Sequence, residues 1–370
     1  MTNPFYIKQV PLDAPFCNRA QEMADLEGYA ESKNNVVIHS PRRFGKTSLV
    51  RRVQKRLADR GAVVIYADFF GIGSVDEVAA RMAEAVFRVT REREPIWKSA
   101  VRFITSFRPI LRPNADGGFD LSVEHAGGPK GLQLLKDTLV ALGRFIEKTD
   151  NLVNIALDEF QEIVTLADSN QIEAVMRTEI QQHQASYFFV GSQRRILKAI
   201  FDEESRPFYR SAFDYQVMPL PAKELAEFIQ GLFATNGKAC GDDEAMEIVR
   251  ITDCYPYYAQ KLSHFVFDGC SGTVTETDVK EAFTDLIYSE GGVFEARVQP
   301  LPSQQRLFLR AIAQEPTKTP FSQVFTRTHS LGSTGALQNS LKQLEGLDYI
   351  ERVDEYWRVV DPIFRQWLTK

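Results

Sequence analysis

In the stretch Ser40-Pro-Arg-Arg-Phe-Gly-Lys-Thr-Ser48, a lysine and two hydroxyl side chains follow a glycine. The spacing Ser40-x-x-x-x-Gly45-Lys46-Thr47 keeps every fixed position of the phosphate-binding loop pattern except the first, where serine replaces glycine. In such a loop the backbone around Ser40, Pro41, Arg42, Arg43, Phe44, Gly45 and Ser48 cradles the phosphates of a nucleotide, and the following helix adds its positive end. Lys46 then reaches the β- and γ-phosphates and Thr47 places its hydroxyl on Mg²⁺, while Gly45 permits a close approach without a Cβ. Serine at position 40 suits an extended residue, which Pro41 after it favours. Without a strand before it and a helix after it, the same run is an ordinary turn.

Hydrolysis needs a carboxylate for the metal and a group to polarise water. Leu152-Val-Asn-Ile-Ala-Leu-Asp-Glu159 offers both at the end of an apolar strand, the edge where open α/β sheets bind ligands. Asp158 is the expected metal ligand and Glu159 the expected base. A solvated sheet edge carrying two acids is the plain alternative. Tyr187-Phe-Phe-Val-Gly-Ser192-Gln193 ends in polar residues placed to sense a γ-phosphate; Ser192 or Gln193 is the candidate, and a simple helix-capping serine is the other reading. Arg206 and Arg210 precede the fifth strand and are candidates for an arginine finger entering a neighbouring subunit, or are exposed loop residues. The expected catalytic set is thus Glu159, Lys46 and Arg210.

These side chains need a scaffold. Apolar runs of strand length at 35–39, 62–69, 152–157, 187–191 and 213–220 alternate with amphipathic stretches, the pattern of a parallel sheet covered by helices. Leu49, Val50, Val53 and Leu57 share one face of the helix after the loop. The stretch 95–131 interrupts the rhythm, and its two-residue alternation about Asn-Ala-Asp-Gly-Gly predicts an inserted β-hairpin at about 105–128. Helical periodicity takes over after Pro221, and from Ser303 three helices and a hairpin around Asp354-Glu355 predict a winged helix. The expected fold class is an α/β P-loop NTPase with a five-stranded, mainly parallel sheet (1–220), a helical lid (221–300) and a C-terminal winged helix (301–370).

Composition narrows the class of protein. In 370 residues, 44% hydrophobic and 25% charged describe a folded chain with room for several cores. A net charge of -5 argues against wholesale coating of nucleic acid or an anionic membrane. Cys17, Cys240, Cys254 and Cys270 are too dispersed for a zinc site or a disulfide framework, and reduced thiols in the cytoplasm are expected. The start, Met-Thr-Asn-Pro-Phe-Tyr, lacks a signal-peptide pattern, and no apolar run approaches the about 20 residues of a membrane span.

Taken together, these motifs resemble the archaeal-type ATPase family of the STAND group, P-loop ATPases that share an extra sheet strand and a catalytic glutamate with the AAA+ enzymes. "FCNRAQEMADL" resembles the family's Phe-x-Gly-Arg-x-x-Glu entry, "SPRRFGKTSL" its loop, "LDEFQEI" its acidic strand end, "DCYPYYAQKL" its Gly-x-Pro-Tyr-Tyr lid helix and "YWRVVDPIFRQWL" its closing winged-helix segment. Ser40, Asn18 and Cys254 stand where the family has glycine. The resemblance implies ATP/ADP and Mg²⁺ as cofactors, adenine packing near Phe16, Arg19 and Pro256, and a slow ATPase switch in which ATP closes the lid and winged helix over the sheet, often with self-association. Sensor repeats common after the winged helix in that group are expected to act in trans, since the sequence ends at Lys370. The expected partner is another protein or a second copy, with an ATP-gated DNA-binding protein as the alternative. Ser333 to Gly346 carries Lys342 as its single basic residue, offset by Glu345, which favours protein over DNA.

Overall fold

The computed structural model describes residues 3–8, 10–90, 104–113 and 119–370. Its contacts divide the chain into two units: a sheet unit of Arg19–Arg42 and Lys46–Val217, and a helical unit of Met1–Asn18, Arg43–Gly45 and Met218–Lys370.

Within the sheet unit the described elements are α1 (Ala20–Glu31), β1 (Val36–His39), α2 (Lys46–Asp59), β2 (Val63–Asp68), α3 (Val75–Thr90), β3 (Phe107–Pro113), β4 (Phe119–His125), α4 (Gly131–Glu147), β5 (Val153–Asp158), α5 (Ser169–Ile180), β6 (Ser186–Gly191), α6 (Arg194–Asp202) and β7 (Phe213–Gln216). Five strands form one sheet in the order β2-β5-β6-β1-β7, and every pairing is parallel. Strands β1, β5 and β6 are buried along their whole length, as continuous apolar runs covered on both faces must be. One face packs Leu49, Val50, Val53 and Leu57 of α2 with Leu26 of α1; the other packs Phe160, Phe189, Phe201 and Phe208. Because β6 lies between β1 and β5, the ends of the loop strand, the acidic strand and the strand before Ser192 share one edge.

One strand of this unit departs from the sequence reading. Strand β7 stops at Gln216 instead of running to 220; Val217 still donates to His39, but Pro219 and Pro221 have no N–H with which to extend a ladder. The hairpin is present as β3 and β4, antiparallel from Phe107↔His125 to Pro113↔Phe119. Its expected turn at 114–118 and the stretch 91–103 lie outside the described residues.

The helical unit contains α7 (Ala222–Thr235), α8 (Asp242–Thr252), α9 (Pro256–Gly269), α10 (Glu276–Val298), α11 (Ser303–Gln314), α12 (Gln323–Thr328), α13 (Thr334–Gly346), β8 (Ile350–Val353), β9 (Tyr356–Val359) and α14 (Pro362–Leu368). Helix α10 begins with a capping box between Thr275 and Asp278 and runs on through Gly291 and Gly292, further than the periodicity implied. Each glycine in a helix interior costs about 1 kcal/mol relative to alanine, and burial of Leu286, Ile287, Phe294 and Val298 on either side holds the helix together. Helices α11 to α13 followed by β8 and β9 are the winged helix read from the sequence. Asp354 (φ 47°) and Glu355 (φ 71°) are both left-handed, as a two-residue hairpin turn requires.

Candidate functional site

The sheet unit brings Ser40, the pair Asp158 and Glu159, and Ser192 to the ends of three neighbouring strands, β1, β5 and β6. The end of β1 leads into Ser40 and Pro41, both buried, and α2 begins at Lys46. The Lys46 ammonium turns back on its own loop and donates to the carbonyls of Ser40 at 2.9 Å and Pro41 at 3.0 Å, with Ser40 Oγ at 3.3 Å. Burial pulls this lysine down to about 8, against the raising effect of Glu159 and Asp158. Ser40 is absent from the residues with positive φ, so its backbone does not need a glycine, whereas Gly45 has φ +84°. A Cβ at Gly45 would meet nothing within 4 Å, so in this structure its backbone conformation, not space, calls for glycine.

Asp158 is the most heavily bonded acid of the site. Its Oδ2 accepts from Thr47 Oγ1 and Tyr66 Oη, each at 2.6 Å, and its Oδ1 accepts from the Glu159 backbone at 2.9 Å. Burial raises the Tyr66 phenol, and the Asp158 charge adds to the effect, so Tyr66 stays a donor. Asp68, opposite Asp158 in register, also has a raised pKa, first through burial and then, despite a bond from the Phe70 N–H, through the charges of Asp158 and Glu159.

Glu159 follows with φ 50°, unusual for a residue with a side chain. Its carboxylate accepts from Ser192 Oγ, 3.0 Å to Oε2 and 3.3 Å to Oε1, and from Gln161 Nε2. Ser192 therefore serves the acid rather than capping α6; the cap position belongs to Gln193, whose side chain makes no capping bond. Gln161 and Tyr66 were missed in the sequence. Gln161 stood in the quoted "LDEFQEI" without a role, and nothing local marks a tyrosine on β2 as a neighbour of Asp158 until the strand order is known.

The other expected residues are placed variously. Arg206 is an ion-pair partner of the fully buried Glu173, through Nη2 and through Nε at 3.1 Å, which corrects its reading as a finger or free loop residue. Arg210 is exposed, its guanidinium 5.1 Å from the Tyr209 ring. Arg19 is 3% exposed and pairs with Glu22, and its Nη2 is buried without a partner among the described residues. Arg42 is exposed and Ser48 half-buried on the first turn of α2.

Arg43 and Phe44 group with the helical unit. Phe44 packs edge-on to Tyr255 at 4.4 Å, so its side chain belongs to the core and only its backbone is left for phosphate. Arg43 donates to Tyr258 Oη at 3.0 Å and Glu290 at 2.9 Å, with its guanidinium 4.2 Å from the Tyr257 ring. Pro256 is the first residue of α9.

Among the described residues no group of three His, Cys, Asp or Glu is placed to hold a metal, and none of the four cysteines is joined in a disulfide. Nor is any described helix long and apolar enough to cross a membrane.

The model of a family described as an ATPase domain predominantly from Archaea matches residues 16–262, and that of a probable winged helix domain matches residues 292–370. Among solved structures, the chain is similar to the Walker-type ATPase of Pyrococcus abyssi, at 16% identity and a TM-score of 0.72, over 99% of this chain and 100% of that one. It is also similar to the ORC2 protein of Aeropyrum pernix, solved in ADPNP and ADP complexes, at 14% identity and a TM-score of 0.64, over 98% and 95% of the two chains. The ORC1 protein of Aeropyrum pernix in complex with DNA follows at 15% identity and a TM-score of 0.52, over 98% and 94%. No sequence among curated proteins matches. At these identities the structural likeness is one of fold.

Proposed function

We propose, from the premise that this chain belongs to the family of ATPase domains predominantly from Archaea, that its ATP state switches self-association or the binding of a partner protein. The observation that carries the reading is the Asp158 carboxylate, 2.6 Å from the Thr47 hydroxyl, with Glu159 next in the chain and Lys46 next to Thr47. Lys46 exchanges the carbonyls of Ser40 and Pro41 for phosphate oxygens, and the loop backbone N–H groups complete the cradle. Thr47 Oγ1 and Asp158 Oδ2 are hard oxygen donors suited to Mg²⁺, which commonly takes one carboxylate and the phosphates of its substrate. When bound, the ion would neutralise charge on the transferring phosphoryl group. Glu159 accepts the proton of the attacking water, with Ser192 and Gln193 at the neighbouring strand end as γ-phosphate sensors. Arg19 and Pro256 are proposed adenine contacts, a role the buried, unpartnered Nη2 of Arg19 supports. The proposed division of work is catalysis in 1–220, a helical lid in 221–300 and a winged helix in 301–370, with the slow turnover of a STAND-type switch.

The test is a comparison of wild type with Lys46→Ala and Glu159→Gln. Lys46→Ala should lose nucleotide binding, while Glu159→Gln should bind ATP and turn over about 10²–10⁴ times more slowly, the range for a lost general base. Solution mass with ADP, ATP and a non-hydrolysable analogue reads the switch. Normal turnover by either variant defeats the catalytic assignment, and a mass indifferent to nucleotide in the absence of a partner removes self-association from the reading.

A second reading, an ATP-gated DNA-binding protein, is favoured by the fold shared with the DNA-bound ORC1 protein and by exposed Gln338, Asn339 and Lys342 on α13. It stands second because Arg358 pairs with Glu351 at 2.9 Å and Lys318 with Glu355 at 2.7 Å, which offsets the charge of the wing.

A further inference from the structure

We propose that Gln161 is a positioning residue for hydrolysis: it holds one oxygen of the Glu159 carboxylate so that the other faces the attacking water. The inference rests on the reading of Glu159 as the base.

Three observations in the sheet unit converge on it. First, Gln161 Nε2 and Ser192 Oγ both donate to Glu159 Oε2, and among the described residues Oε1 keeps only the longer contact to Ser192, at 3.3 Å. A carboxylate pinned at one oxygen by two donors has its second oxygen committed in direction but open to a new proton. Second, Gln161 is 1% exposed and its Oε1 is buried with no partner among the described residues. An unsatisfied buried acceptor costs about 1–3 kcal/mol. Turning the amide over would set its oxygen against the carboxylate, so the orphan carbonyl follows directly from the bond to Glu159. For stability, this cost offsets the gain from the bond to Glu159, so the amide adds little net stability at this position. Third, the strand beside it makes room for this amide. A Cβ placed on Gly191 would lie 2.0 Å from Gln161 Oε1 and 3.1 Å from its Cδ. Gly191 is not among the positive-φ glycines, so here glycine is required by space alone.

Gln161 sits in the tight turn Phe160–Thr165 that follows β5, and Gly191 ends β6, so two separate chain segments are shaped around one hydrogen bond to the acid.

The experiment compares full-length wild type with Gln161→Met, which keeps the volume without the donor, Gly191→Ala, which takes the space of the amide, the double variant, and Glu159→Gln. Turnover, KM for ATP, affinity for a non-hydrolysable analogue and the thermal midpoint are measured for each, and nucleotide-free Gln161→Met is crystallised. Gln161→Met should lower kcat about tenfold or more, at the lower end of what mispositioning a general base does. Its analogue affinity should stay within about twofold and its thermal midpoint close to wild type, because removal of the orphan acceptor offsets the lost bond to Glu159. Gly191→Ala should reproduce the loss, the double variant should be no slower than either single one, and the Glu159 side chain should leave its wild-type rotamer in the crystal. Wild-type kcat in Gln161→Met while Glu159→Gln is inactive overturns the inference and leaves the base assignment standing. Undiminished turnover by Glu159→Gln overturns that assignment and the inference with it. If Gly191→Ala fails to fold, Gln161→Met decides alone.

Discussion

Of the three residues that replace family glycines, two adopt a conformation glycine would take easily: Asn18 has φ 47° and Cys254 φ 57°, while Ser40 does not have a positive φ. A side chain in this region costs about 1–2 kcal/mol, less for asparagine, and glycine loses about 0.5–1 kcal/mol through its freer unfolded state. Cys254→Gly should therefore stabilise the protein by about 0.5 kcal/mol, Asn18→Gly should be near neutral, and Ser40→Gly should destabilise slightly; urea midpoints rank the three. The sequence already set Ser40 apart, as a residue that Pro41 makes extended, but gave no access to the φ of Asn18 and Cys254. Glu290 was wholly hidden. Its side chain is 3% exposed and accepts from Lys261 at 2.6 Å, Arg43 at 2.9 Å and Tyr257 Oη at 3.1 Å. Burial works against its ionised form, yet bonds from Lys261 and Arg43 hold the carboxyl below its usual range. Glu290→Gln should cost about 3 kcal/mol, because it leaves two cations facing a neutral amide; a thermal midpoint that does not move would refute this account of the cluster.

At the scale of elements, what could be read in advance followed from burial on both faces. The runs that became β1, β5 and β6 are continuous and apolar, and their ends predicted where Ser40, Asp158 and Ser192 stand. The order of the strands was not written in any one of them, and Tyr66 became a neighbour of Asp158 only through that order, while Gln161 reaches Glu159 through the turn after β5. Between α4 and β6, His183 Nδ1 lies 2.6 Å from Tyr187 Oη, and a Cβ on Gly143 would come within 2.9 Å of His183 Nε2. Burial, opposed by a bond to the Leu139 backbone, lowers this histidine to about 4. A neutral imidazole accepting from Tyr187 at Nδ1 fits that environment. The folded chain therefore resists a proton that the unfolded chain accepts near 6.5, so stability from this group is complete above that pH and is lost as the pH falls from 6.5 toward 4. The loss at pH 5 is about 1–2 kcal/mol. Urea midpoints at pH 7 and pH 5 should separate more for wild type than for His183→Gln; equal separations would show that this site does not carry the acid sensitivity.

For the whole molecule, catalysis and partner choice are distinct questions, and charge separates the candidates for the second. The chain carries a net charge of -5, and in the winged helix Arg358 and Lys318 already face Glu351 and Glu355. Arg327, Lys342 and Arg352 are the exposed basic residues nearest its α12, α13 and wing. If all three met phosphates, the logarithm of duplex affinity would fall with the logarithm of salt at a slope of about -3, a loss of about 40-fold between 50 and 200 mM. A protein interface under the proposed switch makes a different forecast: weak salt dependence and strict dependence on the triphosphate. The expected result is that Glu159→Gln, held with ATP, rises in mass or retains a protein partner, while a labelled duplex is not retained at 200 mM salt in any nucleotide state. If the exposed Arg210 is the arginine finger expected from the sequence, Arg210→Ala should lower turnover of the assembled form and leave a dilute monomer unchanged. Duplex retention that appears only with ATP and falls with the steep salt slope would instead assign α13 and the wing to DNA and make self-association secondary.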